Sequence, residues 1–175
     1  MQVHDLPFAP SAGENNRPPI ERAAGYEVYG REGQALSEKW RPGISTMFGM
    51  QTRGFPNCFI VSMAQTGGSA NFPHLLDVQS RHAAYIIQHA REHEAQSVDV
   101  SEEAEAGWVQ SVIDTSASTL GFQERCTPGY YNNEGQPNGE LIRRNGSYAP
   151  GIIHFSRILD EWRAEGNLAG LEFGR

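Results

Sequence analysis

The residues of this 175-residue chain that are best suited to hold a ligand lie in one short stretch. Two glycines, Gly67 and Gly68, follow an apolar run and precede a strongly periodic segment. Polar side chains flank them on both sides: Gln65, Thr66, Ser69 and Asn71. A loop that leads into a helix N-terminus collects unpaired backbone N–H groups and the positive end of the helix dipole. The stretch therefore predicts a site for an electron-rich ligand atom, although two glycines in this position also serve for a tight turn alone.

The histidines offer a second kind of chemistry, metal binding. His89 and His93 lie four residues apart, as on one face of a helix, but Glu92 does not directly follow His89 as a zincin motif requires. No third ligand is evident, so the pattern favours a solvated helix face and we predict no metal site. His74 falls in the first turn after the glycines, where it could face a ligand. A buried, hydrogen-bonded histidine is the commoner outcome.

Other catalytic signatures are missing or have simpler explanations. Glu102, Glu103 and Glu105 crowd the start of a predicted helix, where carboxylates complement the dipole, and we assign them no catalytic role. The sequence contains no nucleophile elbow, no phosphate-binding P-loop and no Gly-x-Gly-x-x-Gly dinucleotide fingerprint. Cys58 and Cys126 are the only cysteines, and free thiols in a reducing compartment are favoured. We predict no catalytic residue in this chain.

Composition narrows the class of protein. A net charge of −7 opposes binding to nucleic acid or to anionic lipid, which requires clustered Lys and Arg. No apolar run is long enough to cross a bilayer, and the first residues do not form a basic and then apolar leader. With 38% apolar residues, the chain has the composition of one ordinary globular domain. We expect a cytoplasmic protein.

The periodicity of the sequence predicts its elements in order. Residues 1–22 are rich in Pro and Asn and form an irregular tail, and 23–175 form the domain. Tyr26–Tyr29 alternates and precedes a turn, so a short strand or hairpin arm is expected. Leu36–Trp40 predicts one helical turn. Phe59–Val61 is too short for a helix and favours a buried strand of a parallel sheet.

Three longer helices are predicted after that strand. The first follows a cap at Asn71 or Ser69 and fades after His93. The second begins at Ser101 and ends at Gly121, and the third runs from Pro150 to Gly166. Residues 126–135, between the second and third helices, form a loop with unusual aromatic and amide side chains, and Leu171–Phe173 predicts a last strand. The predicted class is α/β, mostly helical with a few short strands.

Two groups of residues resemble a known family. The first group is Gly30-Arg31-Glu32-Gly33, Leu36, Trp40, Gly43, Gly49, Arg53-Gly54-Phe55-Pro56-Asn57 and the helix that follows. The second group is the loop Cys126-Thr127-Pro128-Gly129-Tyr130-Tyr131-Asn132-Asn133-Glu134-Gly135. Together they are similar to the C-terminal portion of flavin-dependent (class B) Baeyer–Villiger monooxygenases, in a branch that acts on ketones. The similarity covers about residues 22–173.

The resemblance implies a partial FAD/NAD(P)-binding fold, represented here by its C-terminal segment only. In that family FAD and NADPH support insertion of oxygen next to a ketone carbonyl, giving an ester or lactone. The implied FAD-edge residues are Gln65, Thr66, Gly67, Gly68, Ser69, Asn71, Phe72 and His74. Tyr130 and Asn132 are implied to lie on a loop that closes over NADP and substrate.

The family's glycine fingerprints have no counterpart in this sequence. We therefore expect the chain to be inactive alone, with an upstream polypeptide carrying the FAD and NADP domains as its partner, or a second copy of itself. The alternative is a non-catalytic module, derived from the same family, that oligomerises or binds a partner through exposed apolar surface.

Overall fold

The computed structural model describes residues 26–116 and 139–175. The predicted tail, Cys126 and the loop that carries Tyr130 and Asn132 lie outside these residues. The described part confirms the predicted class, since it contains five α-helices and one sheet of two short strands. The elements are α1 (Leu36–Lys39), α2 (Phe72–Glu92), β1 (Ser97–Val100), α3 (Glu102–Thr115), α4 (Gly139–Asn145), α5 (Gly151–Glu165) and β2 (Leu171–Gly174).

The longest helix, α2, follows its sequence pattern. Asn71 caps it, because the side-chain oxygen of Asn71 accepts a hydrogen bond from the N–H of His74 at 3.2 Å. Pro73 occupies the first turn, where a missing N–H costs little. The buried face carries residues at helical spacing: Leu75, Val78, Gln79, His82, Ile86 and Ala90. The predicted cap and extent are confirmed, and Ile87, which follows the buried Ile86, is 45% exposed.

The two later helices begin where the sequence predicts. The hydroxyl of Ser101 accepts a hydrogen bond from the N–H of Ala104 at 3.2 Å and so caps α3. α3 spans Glu102–Thr115, and the predicted end at Gly121 lies outside the described residues. α5 follows Pro150 and ends at Gly166, whose left-handed backbone (φ 68°) closes the helix. The last strand is confirmed as β2.

The predicted strand at Phe59–Val61 is wrong. This segment is irregular, and Val61 is 49% exposed. The N–H of Ile60 donates to the carbonyl of Met50 at 2.7 Å, which lies in a turn rather than in a strand. Because a strand needs a neighbouring strand to pair its backbone, the apolar run alone was insufficient. The sheet is antiparallel and not parallel: β1 pairs with β2 in the register Ser97↔Gly174.

The region Tyr26–Tyr29 forms no strand either. One isolated bridge joins Tyr29 to Ala35 around a 3₁₀ turn at Arg31–Gly33. The predicted reversal of the chain is present, but the arm is a single pair long. Two elements, β1 and α4, were not predicted, because four and seven residues are too few to show a period above the background.

The core lies where α2, α3 and α5 meet. Its central cluster contains Leu75, Val78, Trp108, Val112, Tyr148, Phe155 and Leu159. A second cluster joins α2 to the sheet through Met47, Ile86, Ala90, Val98, Val100 and Trp162. A third surrounds α1 with Leu36, Trp40, Ile44 and Phe55. None of the helices in 26–116 or 139–175 combines the length and hydropathy needed to cross a bilayer.

His82 joins α2 to α5 inside this core and predicts a pH dependence of stability. It is 1% exposed, and its Nδ1 accepts a hydrogen bond from the guanidinium of Arg163 at 3.1 Å. Because Arg can only donate, the neutral imidazole carries its proton on Nε2. Burial, and then the positive charge of Arg163, lower the pKa of His82 to about 3.

Below about pH 6.5, His82 therefore binds a proton in the unfolded chain but stays neutral in the native state. The free energy of unfolding consequently falls as the pH drops from about 6.5 towards about 3. The His82→Gln variant keeps an acceptor but cannot titrate. Between pH 7 and pH 5 we expect its free energy of unfolding to fall by ~2 kcal/mol less than that of the parent protein. Urea unfolding of both proteins at the two pH values measures the difference. Equal pH sensitivity in the two proteins would contradict the prediction.

Candidate functional site

The loop that holds the two glycines is fixed from inside by Gln65. Its side chain is fully buried (0% exposed), and its amide nitrogen donates to the carbonyls of Ile44 and Arg144, each at 2.8 Å. Its amide oxygen accepts a hydrogen bond from the hydroxyl of Thr46. Its backbone carbonyl accepts from the indole N–H of Trp108 at 3.0 Å. A single residue thus connects the loop to three distant parts of the chain.

The next two residues continue this inner half of the loop. The Thr66 hydroxyl donates to the carbonyl of Met63 at 3.0 Å, and its own carbonyl accepts from the N–H of Tyr148 at 2.9 Å. Gly67 forms an isolated parallel bridge with Tyr148. A Cβ at Gly67 would lie 2.6 Å from Cβ of Phe155 and 2.7 Å from Cα of Ile152. Glycine is required here for a close approach to the start of α5.

The outer half of the loop faces solvent. Ala70, Asn71, Pro73 and His74 are exposed, and Phe72 is 43% exposed although it is apolar. The hydroxyl of Ser69 accepts from the N–H of Asn71 at 3.0 Å, in addition to the cap that Asn71 provides to His74. Since Pro73 has no N–H, the N–H of Phe72 is the first-turn donor that has no partner in the described residues.

The structure therefore divides the predicted FAD-edge residues into two groups. Gln65, Thr66 and Gly67 are buried, and the side chains of the first two serve internal hydrogen bonds. The residues that can meet a ligand are the outer ones: Gly68, Ser69, Asn71, Phe72 and His74. Tyr130 and Asn132 lie outside the described residues.

A tyrosine–histidine pair beside the loop was not predicted from the sequence. The hydroxyl of Tyr148 and Nδ1 of His154 are 3.0 Å apart, and the rings stack with their centroids at 5.8 Å. Tyr148 is 7% exposed, and burial raises the pKa of its phenol. Tyr148 and His154 lie six residues apart, whereas helix neighbours lie three or four apart, so no local spacing indicates the pair.

Two carboxylates hold the segment that precedes the loop. Asp99 on β1 is 6% exposed, and its Oδ1 accepts from the N–H groups of Gly54 and Val100 at 3.0 and 2.8 Å. Its Oδ2 accepts from Arg31 at 3.0 Å. The Arg-Gly-Phe-Pro-Asn segment is thereby tied to the sheet at its first turn.

Glu105, to which no role was assigned beyond the helix dipole, is the second of these carboxylates. Its Oε1 accepts from the hydroxyl of Thr52 at 2.9 Å and from the N–H of Arg53 at 2.8 Å. Its Oε2 pairs with the ammonium of Lys39 at 2.9 Å, and both side chains are largely buried, at 12% and 15% exposure. Its partners lie far away in the sequence, so no local pattern indicates this role.

The remaining titratable side chains give no sign of a metal centre. In residues 26–116 and 139–175, no three of the His, Cys, Asp and Glu side chains are grouped as metal ligands. The rings of His89 and His93 stack on each other, with centroids 5.6 Å apart. Burial raises the pKa of the Cys58 thiol, which makes it a poor nucleophile. What the arrangement can do is orient a ligand at the outer loop with amide, hydroxyl and backbone groups.

Comparison with known proteins identifies relatives of this chain. No family model matches the chain. Pentalenolactone D synthase from Streptomyces exfoliatus is 46% identical over 154 residues, which cover 88% of this chain and 26% of that protein. A Baeyer–Villiger monooxygenase (ATR8) from Stachybotrys chlorohalonatus is 39% identical over 148 residues, 83% of this chain and 23% of that protein.

Solved structures agree with these relatives. The polycyclic ketone monooxygenase of Thermothelomyces thermophila has a TM-score of 0.73 and 32% identity, over 86% of this chain and 24% of that one. Cyclohexanone monooxygenase from Rhodococcus sp. Phi1, solved with NADP⁺, shares the fold at 20% identity with a TM-score of 0.71, over 89% of this chain and 28% of that one. The chain spans about a quarter of the length of these proteins. It belongs to the Baeyer–Villiger monooxygenases, a family of oxidoreductases, and corresponds to a C-terminal portion of its members.

Proposed function

We propose that this chain forms the flavin-edge segment of an FAD- and NADPH-dependent monooxygenase that inserts oxygen next to a ketone carbonyl, giving an ester or lactone. One observation carries the proposal: in the loop Gln65–Asn71, internal hydrogen bonds hold the inner residues in place, while the outer residues face solvent. Its inner residues make hydrogen bonds to three other segments, while its outer residues end at the N-terminus of a 21-residue helix. Such a loop holds its outer donors in place before a ligand arrives.

The residues present fit one part of FAD. The hydroxyl of Ser69, the amide of Asn71 and the N–H of Phe72 suit the polar edge of an isoalloxazine ring, and the helix dipole favours negative charge there. The phosphates need another site, because the sequence lacks a dinucleotide fingerprint. When bound, FAD with NADPH supplies the oxygen-transfer and hydride chemistry. The chain's own residues bind and orient the flavin edge.

The finer parts of the proposal rest on the relatives and on the sequence. The solved relative with NADP⁺ supports a nicotinamide cofactor, and the name of the Thermothelomyces relative supports a ketone substrate. The role of Tyr130 and Asn132 as an NADP and substrate lid comes from the resemblance alone. Inactivity of the isolated chain is proposed because about three-quarters of each relative has no counterpart here. The cytoplasm is proposed from the cysteine content.

A partner-binding role is the second candidate, and a specific observation favours it. Three apolar side chains are exposed: Val61 at 49%, before the glycine loop, Phe72 at 43%, at the start of α2, and Ile153 at 76%, in the first turn of α5. An upstream FAD/NADP polypeptide or a second copy of the chain would cover them. Size-exclusion chromatography combined with an FAD titration separates the candidates. A non-catalytic module gives a defined oligomer with no saturable change in flavin fluorescence.

A chimaera tests the proposed function. The aligned 154 residues of the Streptomyces exfoliatus relative are replaced by those of this chain, and bound flavin and formation of that enzyme's product are measured. We expect a yellow, NADPH-consuming enzyme. We expect Asn71→Asp, which keeps the helix cap, to lower the rate about tenfold, equivalent to about 1.4 kcal/mol, because its carboxylate repels charge at the flavin edge.

Ser80→Asp is the matched control. Ser80 is exposed about two turns further along α2, so the substitution adds the same charge away from the loop. Its rate should remain within twofold of that of the parent chimaera. A chimaera that folds but purifies without flavin would contradict the proposal. So would equal effects of the two substitutions.

A further inference from the structure

Gln65 occupies an unusual place for a polar side chain. It is fully buried, and its backbone has the left-handed conformation (φ 57°) that residues other than glycine seldom adopt. A buried amide is unfavourable unless its donors and acceptor are satisfied, and a strained backbone persists only where its surroundings hold it. Both conditions are met here, because the amide donates to Ile44 and Arg144 and accepts from Thr46.

Thr46 is the key partner of this amide. Its hydroxyl hydrogen is directed at the Gln65 amide oxygen, while the same oxygen of Thr46 accepts from the N–H of Gly49 at 3.0 Å. Thr46 is itself 1% exposed. Gly49 packs against the other side of the loop, since a Cβ there would lie 2.3 Å from the methyl carbon of Thr66. The segment Thr46–Gly49 therefore packs against the inner residues of the loop, Gln65 and Thr66.

We infer that Gln65 and Thr46 are positioning residues of the flavin-edge loop: they set where its outer donors stand without contacting the cofactor. The inference rests on the proposed function for its meaning, but its geometry is independent of any ligand. The backbone of Gln65 donates to the carbonyl of Gly146 at 2.8 Å and accepts from Trp108. Movement of this residue would therefore shift the loop, the indole and the segment that leads into α5 together.

Hydrogen exchange of the whole chain tests the inference. We call the hydrogen bonds that join Gln65 and Thr66 to the rest of the chain the clamp. Three donors report on it: the indole N–H of Trp108, and the backbone N–H groups of Tyr148 and Gln65. In Thr46→Val, which keeps the shape but removes the hydroxyl, these three should exchange at least tenfold faster. Thr46→Ser, which keeps the hydroxyl, should restore the rates of the parent.

Two distant donors serve as references: the backbone N–H of Ser101, bonded to Gly170, and that of Asn57, bonded to Val98. A role limited to overall stability accelerates all five donors by the same factor, and that result would overturn the inference, as would unchanged rates. If Thr46→Val does not fold, native-state hydrogen exchange of the unmodified protein tests the inference instead. A single clamp requires its three reporters to open with one common rate in native-state exchange, and unrelated rates would overturn the inference.

FAD binding provides the link to function. In the chimaera, Thr46→Val should lower FAD affinity at least tenfold, while Thr46→Ser should not. If the parent chimaera binds no FAD, the proposed function fails and the exchange result stands by itself. If the chimaera binds FAD and Thr46→Val changes neither affinity nor exchange, the positioning role is wrong although the proposed function holds.

Discussion

Replacing Gly67 by alanine is expected to lower the free energy of unfolding by about 3 kcal/mol. The added Cβ would lie 2.6 Å from Cβ of Phe155, 2.7 Å from Cα of Ile152 and 2.8 Å from the carbonyl oxygen of Gly151. Two of these atoms belong to the backbone of α5, so no change of rotamer can relieve the contact. The helix and the loop would have to separate, and Phe155 lies in the central core cluster.

Gly68→Ala provides the matched control for this prediction. The nearest atom to its Cβ is Cβ of Ser147 at 3.7 Å, an ordinary contact. We expect a change within about 0.5 kcal/mol, as for substitutions away from packed features. Urea unfolding monitored by tryptophan fluorescence measures both variants. Similar midpoints for the two alanine variants would show that the approach of the loop to α5 is not a packing constraint.

Replacing Glu105 by alanine is the second substitution with a large expected effect, again about 3 kcal/mol of destabilisation. The variant leaves the ammonium of Lys39, which is 15% exposed, without its carboxylate. It also leaves the hydroxyl of Thr52 and the N–H of Arg53 without the acceptor that they share. Loss of a partner by largely buried polar groups costs more than the hydrogen bonds contribute in the intact protein.

Glu103→Ala on the same helix is its control. Glu103 lies in the same first turn but is exposed, so its removal affects only the interaction with the helix dipole, worth about 0.3–1 kcal/mol. Thermal unfolding of the two variants at pH 7 compares them. If Glu105→Ala loses no more stability than Glu103→Ala, the acidic residues of α3 serve the dipole alone, as the sequence suggested.

The loop Gln65–Asn71 combines features that depend on neighbouring residues with features that depend on distant ones. Asn71 and Pro73 predict the start of α2 because capping depends on residues within one turn. The position of Gln65 and Thr66 beside the glycines predicted contact with a ligand, since polar side chains there often face one. Their partners, Ile44, Arg144 and Met63, include residues about 20 and 80 positions away, so their burial could not be predicted from the loop.

The apolar run Phe59–Val61 shows the opposite limit. Its composition suits a strand, but a strand exists only when another segment pairs with it. Here Asn57 pairs with Val98 instead, through its backbone N–H at 2.9 Å and its side-chain oxygen at 3.0 Å. The edge of β1 is thereby occupied by a turn.

The sequence by itself determined the long helices, their caps, the left-handed Gly166 and the family resemblance, because these depend on residues close together or on matched motifs. Only the tertiary structure decided which polar residues face outwards at the glycine loop. Gln65 and Thr66 turn inwards, and Ser69, Asn71 and Phe72 remain for a ligand. The physical reason is that a buried hydrogen bond needs a partner from elsewhere in the chain, and folding alone brings Thr46, Arg144 and Gln65 together.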